Sequence, residues 1–188
     1  MKKIFILILL FGISTSVFSE GISGIFGIHF GTNSTEVKEL MTEKGWNLSK
    51  TDGTTQIYKK NKGTYANLTV DEIKLLFFED KLYDILISFP MNTKLDDIIS
   101  SVKAIQETYS LTQVSNDSTT KDGIDIMVYA FTDPNLNIFR LVVMGTKSIT
   151  ISSFNLTDFT LNSQKKAAED KIKQEETAKK NKSISSDL

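Results

Sequence analysis

Glu72-Ile-Lys-Leu-Leu-Phe-Phe-Glu-Asp-Lys-Leu-Tyr-Asp-Ile-Leu-Ile-Ser-Phe-Pro90 is the stretch that decides the fold of this chain. Residues 72–79 and 82–89 are runs rich in branched and aromatic side chains on either side of Asp80-Lys81, a turn signal, and they predict an antiparallel hairpin. Pro90 ends the second run because it has no amide hydrogen for a ladder. Alternate residues of a strand face opposite sides, so Leu75 and Phe77 oppose Leu76 and Phe78. Both faces are apolar here, whereas an antiparallel sheet with one face in water alternates apolar with polar.

The same pattern recurs downstream. Residues 124–131, 137–144 and 148–154 read as three more strands, linked by Asp133-Pro134-Asn135 and Gly145-Thr146-Lys147. The first link suits a type I turn, whose backbone angle proline presets. In the first of these strands Ile124, Ile126, Val128 and Ala130 face one way and Met127, Tyr129 and Phe131 the other. In the next, Phe139, Leu141 and Val143 oppose Ile138, Arg140, Val142 and Met144.

Two segments carry helical spacing instead. Asn33 and Glu36 form a capping pair, Val37, Leu40 and Met41 make one stripe, and Gly45 supplies a left-handed stop before Trp46, which is expected to pack back onto the helix. Thr93 and Asp96 read as a capping box for a second helix running to about Tyr109. On it Ile98, Val102, Ile105 and Tyr109 share a face, with Leu95 and Ile99 beside them. Residues 21–31 are a glycine-spaced apolar arm that suits an extended opening strand, and their spacing matches no phosphate-binding loop. Residues 55–60 and 64–70 flank Asn61-Lys62-Gly63 and predict a hairpin, while the Ser-, Thr-, Asn- and Asp-rich stretch after Tyr109 reads as a loop.

The order helix, strands, helix, strands makes this an α+β chain. It divides into two helix-then-antiparallel-strands units, 26–90 and 91–156, forming a sheet with the helices on one face, within a domain at 20–160. A short echo supports a repeat, since Phe77-Phe-Glu-Asp-Lys-Leu82 can be laid over Phe131-Thr-Asp-Pro-Asn-Leu136. Residues 161–188 form a charged tail, helical or disordered, in which Ile172 is almost alone among polar side chains, so no coiled-coil seam is expected.

Met1-Lys-Lys, the apolar run from Ile4 to Ile13 and the small-residue stretch ending at Ser19 read as a signal peptide, residues 1–19, cleaved after about Ser19. The mature chain is therefore expected to be periplasmic or secreted, with no stable membrane span once the leader is gone. It has no cysteine, so stability must come from packing without disulfides. Loss of Lys2 and Lys3 makes it more acidic than the formal net charge of −1, which gives a nucleic-acid role no support.

Catalytic machinery is scarce. The one histidine is His29, in the arm, so zinc, thiol and Ser-His-Asp chemistry are hard to assemble. Of the carboxylate pairs, Asp122 and Asp125 bracket a Gly123 turn, and Asp96 and Asp97 sit at a helix start whose dipole favours negative charge. Neither an enzyme activity nor a cofactor or metal is expected. The expectation instead is binding: two helices cover one face of the sheet, leaving Met127, Tyr129, Phe131, Arg140 and Met144 on the other for an envelope or extracellular protein, or for a second copy of the chain. The alternatives are a carrier holding a small apolar ligand in a cavity lined by Ile85, Ile87, Phe89 and Val102, and a carboxylate-dependent hydrolase.

Gly27-Ile-His-Phe-Gly31, Asn33-Ser-Thr-Glu-Val37 and Lys44-Gly45-Trp46, followed by a polar loop and hairpins, resemble the helix-then-sheet unit of small exported bacterial proteins. These are the β-lactamase-inhibitor-protein-like group and the small outer-membrane assembly lipoproteins. The resemblance covers about residues 26–155 and implies a unit, single or in tandem, that presents its sheet to a protein partner. This chain lacks the lipid-acceptor cysteine of the lipoprotein branch, so outer-membrane anchoring does not carry over.

Overall fold

A computed structural model describes residues 21–146 and 148–186. The signal peptide expected at 1–19 lies outside the described residues. The chain is α+β, and its main sheet has eight strands, all paired antiparallel.

The arm is a small hairpin, β1 (Gly24–Ile25) and β2 (Ile28–His29), that buries Ile22, Ile25 and Ile28. Helix α1 (Ser34–Glu43) follows, its Asn33 cap accepting the Glu36 amide at 2.9 Å. It stops as expected: the Gly45 amide bonds the Thr42 carbonyl and the Trp46 amide the Met41 carbonyl, with Gly45 at φ +76°. The buried Trp46 ring sits 5.7 Å from that of Phe26 and passes so close to Gly63 that a Cβ there would lie 2.6 Å from it.

Strands β3 (Asn47–Asp52) and β4 (Thr55–Lys59) come next, then a tight excursion, β5 (Thr64–Tyr65) and β6 (Leu68–Thr69), then β7 (Glu72–Phe78) and β8 (Lys81–Ser88). The hairpin expected between 55–60 and 64–70 does not form. Both sides of β4 are taken by β3 and β7, and residues 64–69 pair with themselves, burying Leu68.

Helix α2 (Leu95–Tyr109) begins at Lys94 without a side-chain cap; the Thr93 hydroxyl donates to the Pro90 carbonyl, so the expected capping box is absent. After it run β9 (Thr112–Lys121), β10 (Ile124–Thr132), β11 (Ile138–Gly145) and β12 (Thr150–Thr157), then α3 (Phe159–Ser186). The tail is thus a helix, and its side chains from Glu169 through Lys179 are exposed.

The sheet order is β3-β4-β7-β8-β12-β11-β10-β9. Directly paired residues share a face. One row across the sheet reads Leu48, Tyr58, Ile73, Ile87, Phe154, Leu141, Tyr129, Asn116. This is the core face, packed against Val37 and Met41 of α1 and Ile98, Val102 and Ile105 of α2. A row on the opposite face reads Lys50, Ile57, Lys74, Leu86, Asn155, Arg140, Ala130, Ser115. That face mixes polar with apolar residues, as a solvated face does, and is not the apolar surface expected.

The two edge strands are the elements the sequence reading missed. β3 and most of β9 are exposed and bury almost nothing, so they carry no alternating pattern. Turn chemistry marks both: Gly53 at φ +57° and the Asp122-Gly123 pair at φ +53° and +77° close the two hairpins. The sequence echo also falls on unlike places. It lays the β7–β8 turn over the β10–β11 turn, whereas counting inward from each edge matches β7–β8 with β11–β12.

Candidate binding groove

The register divides the five residues expected to share a binding face. Met127, Tyr129 and Phe131 pair with Val143, Leu141 and Phe139, so they lie on the helix face. Arg140 and Met144 pair with Ala130 and Ile126 on the opposite face. Alternation along each strand was legible, but phase between strands is set by the β10–β11 turn. There Pro134 sits in a turn closed from the Leu136 amide to the Asp133 carbonyl, and Phe131 lands opposite Phe139.

On the helix face, cover fades toward β9. Along the core row Phe154 is fully buried, Leu141 is buried, Tyr129 is half-buried and Asn116 is exposed. Above this margin α2 turns down Ile98, Val102 and Ile105. Its flank carries Leu95, Ile99 and Lys103 at four-residue spacing, one ridge of a helix. Leu95 is 46% and Ile99 41% exposed, high values for large apolar side chains beside a core. Between that ridge and Met127, Tyr129 and Phe131 lies an open groove of about 310 Å³, apolar but for Lys103 and Gln106. It shares Leu95, Met127 and Val143 with a second recess of about 340 Å³, whose far end is polar, with Asp125, Asn92 and Thr146. The Tyr129 hydroxyl has no hydrogen-bond partner among the described residues.

Ile85, Ile87 and Phe89, expected to line a cavity, line neither the groove nor the recess beside it. Ile85 and Ile87 are fully buried, and the Phe89 ring meets Phe154 edge-on at 4.7 Å. Of that set only Val102 reaches open space, at the groove.

The opposite face holds a polar chain. Arg140 donates to Asn155 Oδ1 at 3.2 Å, and Asn155 and the Thr157 hydroxyl donate to Asp84 Oδ1 at 2.8 and 2.7 Å. Burial raises the Asp84 carboxyl above its ordinary 3.8; the bonds from Thr157 and Asn155 and the charge of Arg140 oppose this. None of the network's residues lines the groove or the recess beside it. Met144 lies apart from it, on the same face and partly exposed.

The remaining sequence candidates are scattered. His29 is exposed, its ring 3.1 Å from the Ser23 hydroxyl. Asp125 accepts the Thr120 hydroxyl, Asp122 occupies the β9–β10 turn, and Asp96 and Asp97 lie exposed in the first turn of α2. Among the described residues no three His, Cys, Asp or Glu side chains are grouped to hold a metal ion, and no helix is long and apolar enough to cross a membrane.

Comparison with protein-family models, curated proteins and solved structures finds no match for this chain.

Proposed function

We propose that this chain is an exported, non-catalytic protein-binding domain of the bacterial envelope or extracellular space, and that it binds through the groove between α2 and β10. The observation that carries the reading is the loss of cover along one continuous row, from buried Leu141 to half-buried Tyr129, beside exposed Leu95 and Ile99. Contiguous apolar surface with an aromatic and a methionine at its centre is the composition of recognition sites. Arg140 and Met144 stand outside this surface. The resemblance to small exported sheet-presenting domains agrees with the reading, with the helix-facing margin of the sheet as the presented part. The element order, a helix followed by strands in each half with β8 and β12 meeting at the centre, supports a duplication of 26–90 and 91–156.

The test is site-specific photo-crosslinking of the mature chain in envelope extract. A crosslinker at Tyr129 is expected to capture a protein that the same group at Arg140 or Met144 does not. Equal capture from both faces, or none from Tyr129, would remove the groove from the account.

A second reading keeps the groove and changes the ligand to a small apolar molecule, favoured by a volume near the lower end of the ~300–1,000 Å³ usual for such sites. Native mass spectrometry of the purified mature chain separates the two: a carrier retains a small adduct that Tyr129→Arg loses.

A further inference from the structure

We infer that the occupant of the groove is an amphipathic α-helix of the partner, lying beside α2 over β10 and β9, with an acidic residue against Lys103. This rests on the protein-binding reading above and specifies it. Eight strands about 4.8 Å apart make a sheet roughly 34 Å wide, and helices pack about 10 Å apart, so full cover needs more than two rods. Elsewhere the layer is completed by the β5–β6 hairpin, whose Ala66 carbonyl accepts the Ser101 hydroxyl of α2, and by the arm, whose Phe26 ring meets Trp46 and Tyr65 and whose Ile22 is held at the β10–β11 turn by Asp133 and Asn137. Toward β9 nothing of the kind is present among the described residues. The margin left over, two strands or about 10 Å, is one helix wide.

The chemistry of the walls describes the missing rod. Leu95, Ile99 and Lys103 form an i, i+4, i+8 ridge, the surface that a neighbouring helix receives in its grooves. The floor is Met127, Tyr129 and Phe131, and the next strand out offers Ser118, Asn116 and Gln113 on the same side. An apolar stripe therefore meets α2 and β10, while a polar flank meets β9 and water. Lys103 is the sole charged residue of the groove proper, and Asp125 lies in the adjoining recess. An acid facing the first and a base facing the second give the rod a direction.

Two rivals fit less well. The tail of a second copy is excluded by composition, since Ile172 is the only large apolar side chain of α3 from residue 169 to 180. An added strand would pair with β9 at the sheet edge and leave the groove empty.

The experiment is selection of displayed random peptides of about 16 residues, a length matching α2, on the mature full chain. Counter-selection uses Tyr129→Arg and, should that variant not fold, Ile99→Arg on the helix surface. Peptides with apolar residues at helical spacing and an acidic position are expected, helical by circular dichroism when bound. Lys103→Glu should weaken them about fivefold and shift a repeated selection from acid to base. Enrichment of alternating or proline-centred peptides, indifference to Lys103→Glu, a groove-dependent homodimer in sedimentation, or no enrichment over Tyr129→Arg each overturns the helix. A Tyr129 crosslink to a protein together with non-helical peptides would leave protein binding standing and remove only its geometry.

Discussion

At the scale of single residues, Asp133 does more than its place in a turn suggests. It is 3% exposed; its Oδ1 accepts the Asn135 and Asn137 amides and its Oδ2 the Ile22 amide at 2.6 Å, while Asn137 reaches the Ile22 carbonyl and accepts the Phe159 amide. One loop so ties the arm to the sheet and to the start of α3. Asp133→Ala strands buried donors and is expected to cost about 3 kcal/mol in urea unfolding. Asp84 supplies a pH test. Burial raises its carboxyl in the folded state, so the folded chain holds that proton more tightly than the unfolded one does. Its contribution is full below the ordinary 3.8 and is lost as pH rises through the folded value. Asp52, Asp80 and Glu169 are exposed and lowered, and act in the opposite sense, so the comparison must be between chains. Unfolding free energies measured from about pH 3 to about pH 7 should show Asp84→Asn gaining on the wild type as pH rises; parallel curves would contradict the assignment.

At the scale of elements, α2 shows how much of the site could be read in advance. Its apolar face was legible because Ile98, Val102 and Ile105 repeat at helical spacing, and all three are buried. The adjoining ridge was visible as residues yet not as a surface, since exposure depends on which strands lie beneath. The two faces should respond differently: Ile98→Ala is expected to cost about 3 kcal/mol and Ile99→Ala less than about 1 kcal/mol, while only the second lowers partner capture. The helix ends on Ser110 in the left-handed region, φ +51°, where a side chain is strained. Ser110→Gly is expected to raise the unfolding free energy by about 0.5–1 kcal/mol. Strands β3 and β9 were illegible for a physical reason. An edge strand in water on both faces needs no apolar alternation, and only the turns closing it betray it.

At the scale of the whole molecule, the sheet is asymmetric in cover. The arm, which runs from the β10–β11 turn to Trp46, and the β5–β6 hairpin complete the layer beside α1 and α2, and the outer margin beside α2 keeps the groove. Helix α3 docks at its start: the Phe159 amide donates to Asn137, and Lys165 lies 5.7 Å from the centre of the Tyr83 ring. Residues 169–180 are exposed, so a chain ending at Asp170 is expected to melt within about 2 °C of the full chain. A larger drop would mean that the outer turns of α3 bear on the domain.

Local rules acting on neighbours in the chain determined the α+β class, the α1 cap and stop, the apolar face of α2 and the inner strands, because spacing and turn chemistry are written within a few residues. Which strands sit at the edges, that Tyr129 and Arg140 lie on opposite faces, and where the helix layer runs out were decided only by tertiary structure. Those depend on register between segments and on the breadth of a sheet against the number of elements that cover it, quantities that no window of the sequence contains.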